Sequence, residues 1–244
     1  MRLILMTIFI GAFLDAGCQQ GAPKQRRPGN DTTYNFKPAS LDGTGKYYMG
    51  REIARVMGAA GSDWLERPER QQEENASLAI AKMGLNDSSV VADLGAGTGY
   101  YSFRIAPLVP NGKVYAVELQ DELIDVLTRR KQETGLKNVF VVKGDTLSPN
   151  LPPNSVDLLF MVDVYHELAW PKEVLRAVYD CLKPGGRLLL IEYRGEDPSV
   201  PIKPLHKTTV KQMNKELAAS GFEIGEKGDF LPIQHFLVYQ KKIR

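Results

Sequence analysis

The sequence has few cysteines, almost no net charge and no long apolar run. Its two cysteines, Cys18 and Cys181, lie in unrelated contexts, so neither a structural disulfide nor a cysteine metal site is expected. The formal net charge of +2 in 244 residues gives no sign of a nucleic-acid partner. The apolar run at residues 3–14 would span about 18 Å as a helix, too short for a bilayer core of about 30 Å. The length and composition favour one main domain with a sizeable core and an extension at the N-terminus.

Residues 1–18 have the pattern of a secretory leader, in which Arg2 precedes twelve mostly apolar residues. The end of this stretch, Ala16, Gly17 and Cys18, resembles the end of a bacterial lipoprotein signal, in which the cysteine becomes lipidated. We therefore expect a protein of the cell envelope that is exported, periplasmic or attached to the membrane through Cys18. A cytoplasmic location is the alternative.

The rest of the chain divides into three parts by composition. Residues 19–45 are rich in Gln, Gly, Pro, Arg and Lys, which predicts a flexible linker. Residues 46–84 predict a helical cap, with a short helix or a pair of turns at 47–57 and a longer helix from Pro68 to a glycine cap at Gly84. Tyr47, Tyr48, Trp64 and Arg67 in this cap are candidates for either core packing or a pocket. Residues 85–244 form the main domain.

The main domain begins with a strand, a glycine-rich turn and a helix. Residues 90–94 read as a buried parallel strand, Gly95, Gly97 and Gly99 let the backbone approach a ligand, and a helix runs to residue 108. The dinucleotide fingerprint requires a third glycine at position 100, where this chain has Tyr100. The spacing therefore argues against a nicotinamide-dependent oxidoreductase.

Three further strands each end near an acidic residue. Glu118 closes the strand at 113–118, 19 residues beyond Gly99, the position from which a carboxylate binds ribose hydroxyls. Asp145 follows the strand that begins at Val139, and Asp163 follows the strand at 157–162. A helix from Pro171, a strand at 187–193, a helix capped at Thr209 and two strands at 222–227 and 235–241 complete the predicted order.

The spacing Asp93-x-Gly95-x-Gly97-x-Gly99 resembles motif I of the class I S-adenosylmethionine-dependent methyltransferases. The phrase Leu-Lys-Pro-Gly-Gly-x-Leu at 182–188 is a second resemblance, and together they cover residues 70–244. Gly99-Tyr100-Tyr101-Ser102 and the leader are also similar to predicted exported bacterial methyltransferases. The resemblance implies an α/β fold with a Rossmann-like, doubly wound, seven-stranded sheet, an antiparallel C-terminal hairpin and an N-terminal helical extension.

The resemblance also implies S-adenosyl-L-methionine as the cofactor. In the family the acid at the position of Asp145 contacts the adenine amino group. The residues expected to bind the cofactor are Asp93, Gly95, Ala96, Gly97, Gly99, Tyr100, Glu118, Leu119, Asp145, Thr146 and Asp163.

The exit of the fourth strand supplies the candidate catalytic residues. Methyl transfer requires an acceptor held in line and relieved of a proton, and histidine suits that task near neutral pH. His166 is the candidate general base, with Tyr165 and Glu167 to orient it, and a purely structural histidine is the alternative. No metal ligand is assigned.

The acceptor is expected to be a small molecule or a component of the envelope. Methyltransferases of base amines resemble one another in an Asn/Asp-Pro-Pro-aromatic phrase, which residues 163–166 lack. A non-catalytic protein that binds an adenosine ligand is the second hypothesis. The sequence carries no signal for an oligomeric state.

Overall fold

The computed structural model describes residues 33–242. The predicted leader, Cys18 and the first part of the predicted linker lie outside the described residues. No helix within residues 33–242 is both long enough and apolar enough to cross a membrane.

The described chain begins with a small antiparallel sheet of three strands. Its strands are β1 (Tyr34–Phe36), β2 (Gly43–Tyr48) and β3 (Arg51–Ala54), in the order β1-β2-β3. The predicted linker is therefore wrong for residues 34–36 and 43–45, which are in strands, and the helix, one of the two forms predicted for 47–57, is wrong. Met49 and Gly50 both have positive φ, which makes a tight two-residue turn between β2 and β3.

The second predicted helix of this region is two short helices. They are α1 (Arg70–Glu74) and α2 (Ala76–Ala81), and a 3-10 helix (Ala59–Glu66) precedes them. The break lies at Asn75, which has a φ of 54° and whose side chain accepts the N–H of Leu78 to cap α2. The N-terminal extension is thus part strand and part helix.

The main sheet has seven strands and confirms the predicted Rossmann-like fold. They are β4 (Val90–Leu94), β5 (Lys113–Glu118), β6 (Val139–Lys143), β7 (Val156–Val162), β8 (Leu182–Tyr193), β9 (Phe222–Gly228) and β10 (Gln234–Lys241). Their order is β6-β5-β4-β7-β8-β10-β9. The first five run parallel, and β10 pairs antiparallel with β8 and β9, which is the predicted C-terminal hairpin.

Helices cover both faces of this sheet. They are α3 (Ser102–Ile105), α4 (Asp121–Thr134), α5 (Pro171–Cys181) and α6 (Val210–Ala219). Apolar residues of α2, α3 and α4 pack in one core cluster, and those of α5 and α6 pack in another. Because the order of the strands reverses between β4 and β7, a crevice opens there beyond their carboxyl ends.

Candidate functional site

Four acidic residues lie in a row along the carboxyl edge of the main sheet. Asp93 is in β4, Glu118 ends β5, Asp145 follows β6 and Asp163 follows β7. Since these strands are neighbours in the order β6-β5-β4-β7, the row runs Asp145, Glu118, Asp93, Asp163. The structure therefore brings together the acids that the sequence places after successive strands.

The glycine turn after β4 is held by hydrogen bonds to β5. The N–H groups of Gly95 and Ala96 both donate to the carbonyl of Val117, at 2.9 and 3.0 Å. A Cβ on Gly95 would stand 2.6 Å from Val164 Cγ2, and its φ of 78° also favours glycine. The turn is thus fixed close to the exit of β7, where the candidate catalytic residues lie.

The carboxylate of Glu118 accepts hydrogen bonds from two turns. Its Oε2 accepts the N–H of Gly97 at 2.9 Å, and its Oε1 accepts the N–H groups of Leu119 and Gln120 at 2.7 and 3.0 Å. The Leu119 side chain is 40% exposed although it is large and apolar. An exposed leucine beside a fixed carboxylate fits the predicted contact of both residues with the cofactor.

Asp145 is exposed at the far end of the row. Its Oδ1 accepts the N–H groups of Leu147 and Ser148, at 2.7 and 2.8 Å, and Thr146 is half-buried beside it. This turn sets the direction of the carboxylate, and its predicted role at the adenine stays a prediction.

Asp93 is buried, and its pKa is raised into the neutral range. Burial raises its pKa to about 7, although the hydroxyl of Ser102 donates to its Oδ2 at 2.7 Å. The charge of Glu118 raises the pKa further, and Arg70 lowers it. A positively charged group placed against Asp93 would therefore favour its ionised form.

The raised pKa of Asp93 makes the stability of the protein depend on pH. Below pH 4 the carboxyl is protonated in both states, and between pH 4 and 7 only the unfolded chain releases the proton. The contribution of the Asp93 carboxyl to folding stability is therefore lost as the pH rises through 7. A pKa difference of this size corresponds to ~4 kcal/mol. We expect the free energy of unfolding of the wild type, measured in urea, to fall between pH 4.5 and 7.5. In Asp93→Asn this fall should be absent. Parallel stability curves of the two proteins would contradict the assignment.

Asp163 offers a buried carboxylate oxygen that is not satisfied within the protein. Its Oδ2 accepts the side-chain amide of Gln234 at 2.7 Å, while its Oδ1 has no partner among the described residues. Burial, with the charges of Glu74 and Glu192, raises its pKa. The hydroxyl of Tyr101, whose pKa is raised chiefly by burial and further by the charges of Glu74 and Asp163, also has no partner in the described chain. Since buried polar atoms are rarely left without partners, these two atoms fit a polar ligand at the crevice.

The ring of Tyr100 is engaged by two arginines. The guanidinium groups of Arg104 and Arg70 lie 3.5 and 4.3 Å from its centroid. The predicted contact of Tyr100 with the cofactor stays a prediction.

A segment before α1, residues 57–67, lies over the glycine turn, and we call it the strap. A Cβ on Gly97 would stand 2.7 Å from Leu65 Cδ1, and Glu66 Oε1 accepts the Thr98 hydroxyl at 2.6 Å. The side chain of Gln120 bonds the carbonyl of Met57 and the N–H of Ala59, at 3.0 and 2.9 Å. The strap thus covers the turn, and Trp64 is exposed on it with Arg67 stacked on its ring. Tyr48, in contrast, is a core residue.

The candidate catalytic residues are on a 3-10 turn, Tyr165–Glu167, at the exit of β7. His166 is 2% exposed, and its Nδ1 lies 2.6 Å from Glu192 Oε2. The Tyr165 hydroxyl donates to Glu216 in the core, so the group that orients His166 is Glu192. The structure also places His206 beside His166, with 3.2 Å between Nδ1 of His206 and Nε2 of His166.

Sequence reasoning missed Glu192 and His206. Glu192 did give a signal, because it is an acid within the apolar strand β8, and a buried charge requires partners. His206 gave none, since it lies 40 residues from His166 in a segment without a motif.

Comparison with known proteins relates this chain to methyltransferases. Residues 85–236 match a family model described as a methyltransferase domain. The protein-L-isoaspartate O-methyltransferase of Pyrococcus horikoshii is 34% identical over 113 residues, which are 46% of this chain and 46% of that protein. The malonyl-[acyl-carrier protein] O-methyltransferase of Methylococcus capsulatus is 27% identical over 179 residues, 67% of this chain and 62% of that protein. The chain thus spans less than two thirds of both curated relatives.

A solved structure matches over a larger share. The crystal structure of a SAM-dependent methyltransferase from Aquifex aeolicus superimposes with a TM-score of 0.71 and 25% sequence identity. The match covers 75% of this chain and 98% of that one. This chain therefore shares its fold with a SAM-dependent methyltransferase.

Proposed function

The chain belongs to the methyltransferase domain family with S-adenosyl-L-methionine as cofactor, and from this premise we propose that it methylates a small-molecule or envelope-associated acceptor. The O-methyltransferase names of the two curated relatives support an oxygen atom as the acceptor. The predicted leader supports a place in the cell envelope, and the mass of the mature N-terminus after cell fractionation tests it.

The observation that carries the proposal is the row of four acids beside two unsatisfied buried polar atoms. S-adenosyl-L-methionine supplies a methyl group bound to a positively charged sulfur. In this proposal Asp145 and Leu119 contact the base, Glu118 binds the ribose, and Asp93 and Asp163 face the cationic end, in keeping with their order along the sheet edge. A polar ligand in this crevice would provide hydrogen-bond partners for Asp163 Oδ1 and the Tyr101 hydroxyl.

The chain's own residues then position the acceptor and keep water out. The strap covers the glycine turn through Leu65, and water excluded from the crevice cannot compete with the acceptor. The turn that carries His166 adjoins Asp163, so the acceptor would lie between the methyl donor and this turn.

Calorimetry on the full chain tests the cofactor, with S-adenosyl-L-methionine, S-adenosylhomocysteine and NAD as ligands. We expect heat from the first two and none from NAD. A labelled-methyl assay on cell-envelope extract then separates an enzyme from a protein that only binds the nucleoside. Binding without any transfer to extract would overturn the catalytic part of the proposal.

Two substitutions separate binding from turnover. We expect Asp93→Ala to weaken cofactor binding by about 10- to 100-fold, because a charge-assisted hydrogen bond is lost. We expect His166→Ala to lower turnover by about 100- to 10,000-fold while S-adenosylhomocysteine affinity changes little. Asp125→Ala, an exposed acid on α4, is the matched control and should change neither. Equal losses of affinity in the two variants would contradict these roles.

A further inference from the structure

Three side chains with metal-ligand chemistry meet beside the crevice. His166 and Glu167 are on the 3-10 turn after β7, and His206 is on a second 3-10 turn, Pro204–His206, before α6. Each offers one donor atom, and the three atoms, His166 Nε2, Glu167 Oε1 and His206 Nδ1, lie within 4.8 Å of one another. Two histidines and one glutamate are a donor set that catalytic zinc sites use.

The separations of the three donor atoms match the edges of a metal tetrahedron. His166 Nε2 and His206 Nδ1 are 3.2 Å apart, and Glu167 Oε1 lies 3.5 Å from the latter and 3.8 Å from the former. Ligands bonded to zinc at 2.0–2.1 Å in a tetrahedron are about 3.3 to 3.4 Å apart. Small side-chain shifts therefore bring all three atoms into one coordination sphere.

Glu192 fixes the form of His166 that a metal requires. Its Oε1 accepts the N–H groups of Val164 and Tyr165, at 3.0 and 2.7 Å, and its Oε2 lies 2.6 Å from His166 Nδ1. A carboxylate used wholly as an acceptor places the imidazole proton on Nδ1 and leaves the lone pair on Nε2. This is the carboxylate–histidine–metal arrangement that holds ligating histidines elsewhere.

The charge and the exposure of the cluster also suit a divalent cation. Glu167 and Glu192 together carry two negative charges, while the nearby cation Arg51 is paired with Glu216. The side chains of Glu167 and His206 are 14% and 19% exposed, so an ion can reach the site and keep an open position. The N–H of Met57, at the start of the strap, donates to Glu167 Oε1 at 3.1 Å and holds that ligand in place.

We propose that His166, Glu167 and His206 bind one divalent transition-metal ion, zinc being the best match, with Glu192 as the positioning residue behind His166. The fourth position is open toward the crevice. If the proposed function holds, an acceptor oxygen bound there would lose its proton to solvent more readily, because a bound cation stabilises the oxyanion. His166 is then a metal ligand, a role different from the general base expected from the sequence.

The test measures metal content and zinc affinity of the full chain, produced without a polyhistidine tag. We expect one zinc per chain after purification or after titration of the stripped protein, and a higher melting temperature with zinc than without it. His206→Ala, at the more exposed ligand, should weaken zinc binding by at least about 100-fold. Glu192→Gln should weaken it by about 10- to 100-fold, the range typical of residues behind metal ligands.

The third histidine of the chain provides the matched control. His235 is also buried and lies 2.8 Å from the carboxylate of Glu196, but it is not part of the cluster. His235→Gln should therefore bind zinc as the wild type does. An equal loss in this control, or wild-type binding no tighter than that of His206→Ala, would overturn the proposal and leave a hydrogen-bonded histidine pair.

Heat from S-adenosylhomocysteine, measured on the same samples, keeps the metal site and the methyltransferase function apart. Nucleoside binding without zinc binding would contradict only the proposed metal site. Zinc binding without nucleoside binding would contradict only the proposed function. The melting temperature of each variant without metal shows whether it folds. A variant that melts as the wild type does but no longer gains stability from zinc has lost the site itself.

Discussion

Replacing Glu118 with alanine is expected to weaken binding of S-adenosylhomocysteine by about 100- to 1,000-fold. A carboxylate at this position binds both hydroxyls of a ribose, and each hydrogen bond to a charged group contributes roughly 1.5–3 kcal/mol. The substitution also removes the acceptor for the N–H of Gly97, so the turn loses a support. Calorimetry at one pH and one salt concentration gives the dissociation constants of S-adenosylhomocysteine for the wild type and for Glu118→Ala.

The 2′-deoxy form of S-adenosylhomocysteine separates ribose recognition from support of the turn. The wild type should bind the deoxy ligand about 10-fold less tightly, whereas Glu118→Ala should bind both ligands equally. Glu133→Gln, an exposed acid on α4, is the control and should behave as the wild type does. A variant that still prefers the ribose by 10-fold would show that Glu118 does not contact it.

The sequence alone could predict the row of acids because each acid lies at or just after the carboxyl end of its own strand. An apolar run that ends in glycine or in a charged residue is a local signal, and it needs no knowledge of the rest of the fold. The neighbourhood of Asp93, Glu118, Asp145 and Asp163 then follows from one rule, that parallel strands bring their carboxyl ends to one edge. The fold class and the cofactor region were predictable for this reason.

The N-terminal hairpin was not predictable by the same reasoning. Apolar residues in 47–57 fit a helical period, yet β2 and β3 form there because Met49 and Gly50 adopt the left-handed conformation. Packing then decides the outcome, since Tyr48 and Ile53 are buried with Trp170 in a core of their own. Tertiary contacts of this kind override a weak periodicity.

The metal-ligand cluster depends on contacts between distant parts of the chain. Glu192 and His206 lie 26 and 40 residues from His166, and only the pairing of β7 with β8 and the course of the following loop bring them together. A single histidine followed by a glutamate does not predict a metal site from the sequence. The site becomes visible only when the structure places His206 beside them.

Glu216→Ala is expected to lower the free energy of unfolding by about 3–5 kcal/mol, which is a large part of a typical domain's stability. The Glu216 carboxylate is fully buried. It accepts hydrogen bonds from Nε and Nη2 of Arg51, at 2.9 and 2.8 Å, and from the hydroxyl of Tyr165, at 2.7 Å. Alanine would leave the charge of Arg51 without its counter-ion and the buried hydroxyl of Tyr165 without its acceptor. Urea unfolding measures the loss.

The same substitution should disturb the candidate site, because Arg51 also donates to the carbonyl of His166 at 3.1 Å. If the cost comes from the orphaned charge, the double variant Arg51→Met/Glu216→Leu should be more stable than Glu216→Ala, since apolar side chains of similar volume replace a buried ion pair at little cost. The exposed pair Arg176 and Asp180 on α5 is the control, and Asp180→Ala should change stability by less than about 0.5 kcal/mol. A double variant as unstable as Glu216→Ala would mean that shape, and not charge, makes this contact necessary. The hairpin of β2 and β3 would then hold the turn of His166 by packing alone.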